Sequence, residues 1–381
     1  MKLTRAAWTL AALALAGCAT VAGWFGRSEP AGKPSPLPPI KPSAQLEVVW
    51  RADIGRSAAL QFVPAVAGDA VYAASADGTL ARFDATTGRA VWRVDTGKKL
   101  TGGVGAGEGV VLVGTRDGEV LAYDPRGQPR WTARIGTVIL SPPQVAEGVV
   151  VVRGADGRVF ALEADSGKRR WVYQRTLPAL SVRSFAGAAV VRGAVFAGFP
   201  GGKLVALRLS DGLVGWEATV AQPRGATELE RIADVASTPD VAESEVCAAA
   251  FQGRVACFDV RNGNVLWARN FSSYAGLDVD GGVLYVATDR SEVLGLELAR
   301  GATLWRQDKL TGRRLSRPLG FGPYVVVGDF EGYVHLLNAD DGGLAARLPT
   351  DGSAIAAAPV RTGDGFLVQT TGGSLLLLRV R

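Results

Sequence analysis

The stretch DGTLARFDATTGRAVW, residues 77–92, decides how the chain folds. It opens on an Asp-Gly turn, alternates through "TLARFD", turns again at Thr87-Gly88 and stops on Trp92. Gly with Asp or Asn supplies the positive φ of a tight hairpin, and the residues between the turns suit paired strands. The outline then returns. "DGEVLAYDPRGQPRW" ends at Trp131, "DGRVFALEADSGKRRW" at Trp171, "GGKLVALRLSDGLVGW" at Trp216, "QGRVACFDVRNGNVLW" at Trp267 and "RSEVLGLELARGATLW" at Trp305. A further copy, "EGYVHLLNADDGGLAA", ends on Ala346, where a tryptophan is due.

Each copy follows another apolar run, such as "AVYAAS", "VVLVGT", "VVVVRG" or "YVVVGD". A more variable first strand such as "GGVGAG" or "SPPQVA" precedes that run. Four strands in about 40 residues are the dimensions of a propeller blade. Trp50, Trp92, Trp131, Trp171, Trp216, Trp267, Trp305 and Ala346 lie 42, 39, 40, 45, 51, 38 and 41 residues apart. Eight equivalent positions predict an all-β, eight-bladed propeller of four-stranded antiparallel blades over residues 46–381.

The last copy, "GGSLLLLRVR", runs out at Arg381 without its tryptophan strand, while "LEVVWRADIG" (46–55) has a tryptophan strand with no blade before it. Joining the two closes the ring, so the N-terminal strand is expected to complete the last blade and leave no open end to the array. The seven tryptophans are expected between blades, where burying each removes roughly 150–250 Å² from water and contributes at most about 4–6 kcal/mol. Ala346 should leave one junction lighter.

The start of the chain has a different composition. Lys2 and Arg5 precede the apolar stretch Ala6–Ala16, the layout of a secretory signal over residues 1–17 and too short to span a bilayer. Leu15-Ala16-Gly17-Cys18 resembles a bacterial lipobox, which implies lipidation of Cys18 and, with Ala19 after it, the periplasmic face of the outer membrane. Residues 18–45, with six prolines between Pro30 and Pro42, read as a semi-extended tether. Cys247 and Cys257 flank the turn at Gln252-Gly253; an oxidising compartment permits a bridge, but the expectation is two small core residues.

Catalytic chemistry has no visible home. His335 is the single histidine, and there is no G-x-S-x-G, phosphate loop or metal-spaced Cys/His cluster. A net charge of +6 over 381 residues, without basic runs interleaved with aromatics, gives no footprint for nucleic acid. No cofactor or metal is expected. The unit "LARFDATTGRAVW" does resemble the tryptophan-docking repeat of quinoprotein dehydrogenases. A quinoprotein-like enzyme or cofactor-binding propeller is therefore the alternative, although the adjacent cysteine pair of those enzymes is missing.

The period itself breaks twice, at the 45- and 51-residue intervals. Insertions in a repeat protein map to loops, and function concentrates on loops held by a rigid scaffold. The extra residues fall at "LPALSVRS" (177–184) and "RGATELERIADVASTPD" (224–240), which set leucines and a valine beside arginine, the composition of an interface centre.

Lipobox, tether, tryptophan repeats, "LSVRS", "GATELERIADVASTP" and "VVVGDFEGYVHLLNADDG" together resemble the BamB family of outer-membrane protein assembly lipoproteins, over the chain from Cys18 to its end. The resemblance implies a non-enzymatic scaffold of the BAM complex. Its propeller would bind the POTRA region of BamA and assist delivery and insertion of unfolded outer-membrane β-barrel proteins. The family's binding stretch falls on Leu180, Ser181, Val182 and Arg183, with valine replacing a leucine. Its acidic pair falls on Asp234 and on Ala236, where the second carboxylate is absent. Asp234 could hold the Arg183 guanidinium if the two lie side by side.

Overall fold

The computed structural model describes residues 34–381; the signal, the lipobox cysteine and the first part of the tether lie outside the described residues. The compact unit runs from Ser35 to Arg381. Its 32 strands form eight four-stranded antiparallel sheets, and no helix is present among the described residues. Seven sheets are consecutive quartets, here blades 1 to 7, at residues 65–95, 100–134, 144–173, 188–219, 240–269, 276–307 and 319–349. Blade 8 takes three strands from residues 360–380, and its outermost strand is Leu46–Asp53. That strand pairs antiparallel with Ser374–Val380, from Leu46 opposite Val380 to Asp53 opposite Ser374. The expected closure is therefore the one observed.

Chain direction gives the disc two unlike faces. Loops from the outer strand of one blade to the inner strand of the next share a face with the turns between second and third strands. Turns between third and fourth strands lie on the opposite face. The core is distributed between blades: Trp50, Leu367 and Leu375 of blade 8, for example, pack with Val71, Ala73 and Phe83 of blade 1.

Each of the seven repeat tryptophans is a pin driven into the next blade. All seven indole N–H groups donate to a backbone carbonyl in the neighbouring blade's third-to-fourth turn, as Trp50 does to Ala85 (2.9 Å) and Trp171 to Leu209 (2.8 Å). In each case the ring lies over that turn's glycine, where a Cβ would fall 2.4–2.9 Å from an indole atom. The spacing of turn glycine and tryptophan is thus one repeat of a single contact.

Ala346 breaks this rule for a structural reason. The turn on which an eighth indole would dock does not exist, because the third and fourth strands of blade 8 belong to opposite ends of the chain. The incoming chain fills the space. The Ala345 carbonyl accepts from the N–H groups of Ser43 (3.0 Å) and Ala44 (3.3 Å), and Leu46 is buried in one cluster with Ala346 and Leu376. The expectation of a lighter junction does not hold.

Nor does that of two unpaired cysteines. Cys247 and Cys257 face each other directly in the register of blade 5, with Cα atoms 4.1 Å apart, and are joined by a disulfide. Close, non-hydrogen-bonded cross-strand positions put both side chains on one face.

Candidate partner-docking site

Both period breaks are loops on one face of the disc. Fourteen residues join blades 3 and 4, and twenty join blades 4 and 5, against four to eleven at the other junctions. The first loop is held at its base by Leu177, which lies over Gly157 in the neighbouring turn. The tip of the second is braced locally. Glu230 accepts from the N–H groups of Ala226 (2.8 Å) and Thr227 (3.1 Å), while Thr227 Oγ1 accepts from Glu230 N–H (3.3 Å), a reciprocal capping arrangement. The Thr227 and Ala226 amides hold the Glu230 carboxyl below its usual range. Arg231 pairs with Glu228 at 3.2 Å, and Leu229 is left 67% exposed.

Asp234 joins the two loops. Its carboxylate is buried and accepts from Val182 N–H at 2.8 Å and from Gly201 N–H at 3.0 Å. Its backbone carbonyl accepts from Phe251 N–H at 2.8 Å. Asp234 therefore bonds to the first insert's backbone, and Arg183 is not its hydrogen-bond partner. The Asp234 charge acts on Arg153, buried under the first insert. Arg153 donates to the Ala186 carbonyl at 3.0 Å and stacks over Phe199 at 5.5 Å. Burial pushes the Arg153 guanidinium down to about 10 against the opposing pull of Asp234.

What these braces present is a small amphipathic surface. Leu180 is 45% exposed; Ser181 and Arg183 are exposed and Val182 half-buried. The Arg183 guanidinium sits over Phe185 at 5.6 Å and enters none of the ion pairs among the described residues. Its backbone is tied from the loop entering blade 6, where Tyr274 O–H donates to the Arg183 carbonyl at 2.6 Å. Ala236 is buried, its carbonyl accepting from Ser184 Oγ at 3.0 Å, so this position contributes a backbone contact inside the site. Leu180, Ser181, Val182, Arg183 and Asp234 are thus brought together, with Asp234 beneath and the others above. Arg153 and Tyr274 went unnoticed in the sequence, since each sits in another repeat and nothing in its local pattern sets it apart.

The family model described as outer membrane protein assembly factor BamB matches residues 44–99, 76–307 and 290–380. The chain belongs to the BamB family. Among BamB relatives, the outer membrane protein assembly factor of Bordetella pertussis is 43% identical over 368 residues, covering 96% of this chain and 94% of that one. BamB from Moraxella catarrhalis, a solved structure, superposes with a TM-score of 0.82 at 26% identity over 88% of this chain and all of that one. The quinohemoprotein alcohol dehydrogenase of Comamonas testosteroni also superposes, with a TM-score of 0.71 at 14% identity, over 87% of this chain and 76% of that one. That likeness is one of fold alone.

The centre of the ring holds a cavity of about 690 Å³ lined by Gln61, Gln144, Asp240, Tyr274 and Arg317 among others. Arg317 contacts Asp240 at 3.2 Å and Asp278 at 3.7 Å, and burial pushes the Asp278 carboxyl up to about 6 despite the arginine. No group of three side chains able to hold a metal ion occurs among the described residues. Of the charged groups lining this wall, Arg317 and Asp240 pair with each other, while Asp289 and Arg314 enter no ion pair among the described residues.

Proposed function

We propose that the chain is a lipid-anchored, non-enzymatic scaffold of the BAM complex whose two inserts dock on the POTRA region of BamA. One observation carries the reading: two loops that depart from the repeat are coupled by the buried Asp234, and together they expose Leu180, Leu229 and an Arg183 with no ion pair among the described residues. Leucines that lose water around a guanidinium make an interface centre, and arginine's planar fork can donate to carbonyls or carboxylates on a partner's strand. Asp234 positions the first insert from below.

In this reading Cys18 is lipidated, residues 18–45 tether the propeller to the periplasmic face of the outer membrane, and unfolded outer-membrane proteins pair transiently with exposed outer blade strands. Changing Leu180 or Arg183 to Glu should abolish co-purification with BamA while leaving the β-rich circular dichroism spectrum intact. A complex that survives both changes overturns the site assignment.

A further inference from the structure

The segment before the first strand is bound to the propeller in a way that the repeat does not require. Six consecutive residues, Pro34-Ser-Pro-Leu-Pro-Pro39, favour an extended polyproline-type chain with three residues per turn. Carbonyls three residues apart in such a chain point the same way. The two that meet the propeller are Ser35 and Pro38: Arg313 Nη1 donates to the Ser35 carbonyl at 3.1 Å, and Arg347 Nη2 to that of Pro38 at 3.0 Å.

Both arginines are braced from behind. The Asp329 carboxylate, fully buried, accepts from Arg313 Nε at 2.7 Å and lies 2.9 Å from His335 Nε2. Arg347 Nε then donates to His335 Nδ1 at 3.4 Å, which places the ring proton on Nε2. Glu331 holds a second arm of Arg313. The chain's single histidine is therefore the link that aligns two guanidinium groups toward one stretch of backbone. Ser35 N–H donates in turn to the Thr311 carbonyl at 3.0 Å, and Ser43 N–H to that of Ala345 at 3.0 Å.

We propose that blade 7 carries a peptide-binding site, built from Arg313, Arg347, Asp329 and His335, that reads the carbonyls of an extended proline-rich segment and is filled by residues 35–44 of the same chain. The site redirects the chain. Strand Leu46–Asp53 begins on the face of the third-to-fourth turns. Residues 44 to 35 run back past Ala345 and Arg347 to Thr311 and Arg313, in the loop entering blade 7 on the opposite face. The first held residue of the segment, Ser35, thus lies on the face that carries the two inserts. This goes beyond the docking reading and stands independently of it.

Hydrogen exchange on the full chain, read by mass spectrometry on peptides covering 33–45, tests the site. The amides of this segment should exchange at least tenfold more slowly than in the free peptide. Arg347→Gln, which removes the Pro38 contact, should bring them close to the free rate while protection across blades 1 to 6 is unchanged. Ser43→Pro deletes one donor outside the propeller core and should release residues 40–44 in the same way. Free-peptide exchange in the unaltered chain, or full protection in both variants, would overturn the proposal.

Discussion

The carboxylate of Asp234 in the second insert accepts a hydrogen bond from the backbone N–H of Val182 in the first, at 2.8 Å, inside the protein. Replacing Asp234 with Ala leaves that N–H and the one of Gly201 without a partner and strands the buried Arg153 charge. The expected cost is about 1–3 kcal/mol in urea denaturation. On the proposed docking, binding to BamA should weaken with it, and Asp234→Asn, which keeps one acceptor oxygen, should lose less of both.

The indole pins predict which glycines resist change. At Gly167 (φ 70°) a Cβ would fall 2.5 Å from the Trp131 ring, whereas at Gly148 (φ 71°) it would meet nothing within 4 Å. Both alanine variants carry backbone strain of about 1–2 kcal/mol. Gly167→Ala adds displacement of an indole and should lower the melting temperature clearly further than Gly148→Ala, in calorimetry on the two proteins side by side.

Acid sensitivity has a local source at the entry to blade 8. Burial raises the Asp351 carboxyl, but hydrogen bonds from Ser353 (2.6 Å) and Thr370 (2.6 Å) outweigh it and hold the group down to about 2. Because the folded-state value is depressed, this contribution to stability is complete above the unfolded carboxylate range near 4 and fades as pH falls toward 2. Asp351→Asn should be less stable at neutral pH and should show a shallower loss of stability between pH 4 and pH 2, measured by chemical denaturation at stepped pH.

The Cys247–Cys257 bridge closes a ten-residue separation within one hairpin. A loop of that size contributes about 2–3 kcal/mol in the chain-entropy account. The double alanine variant should melt at lower temperature, and dithiothreitol should lower the melting point of the unaltered chain only.

Much of this architecture is legible because it repeats. The turn, the alternating strand and the tryptophan recur at fixed distances, and each indole does the same work at each junction, so a reader of the sequence finds the blades by counting. What escapes the eye is held by single contacts across long separations. Asp234 shows no local sign that its partner is Val182, fifty-two residues earlier. Arg313 and Arg347 lie in different parts of one repeat, and the backbone they hold is at the other end of the chain. The pairing of Cys247 with Cys257 is not legible because a register offset by one residue would turn them to opposite faces. Ala346 looked like a loss because the repeat says nothing of a turn that is absent from its neighbour.

Blade 8 is closed without a covalent link, by backbone pairing and shared apolar packing between the first strand of the propeller to be synthesised and the last. Leu46–Asp53 therefore has no partner strand until Ser374–Val380 has been made, and the ring cannot close before then. Closure of the ring is in that sense timed by Ser374–Val380, and removing part of that strand should release Leu46–Asp53 as well.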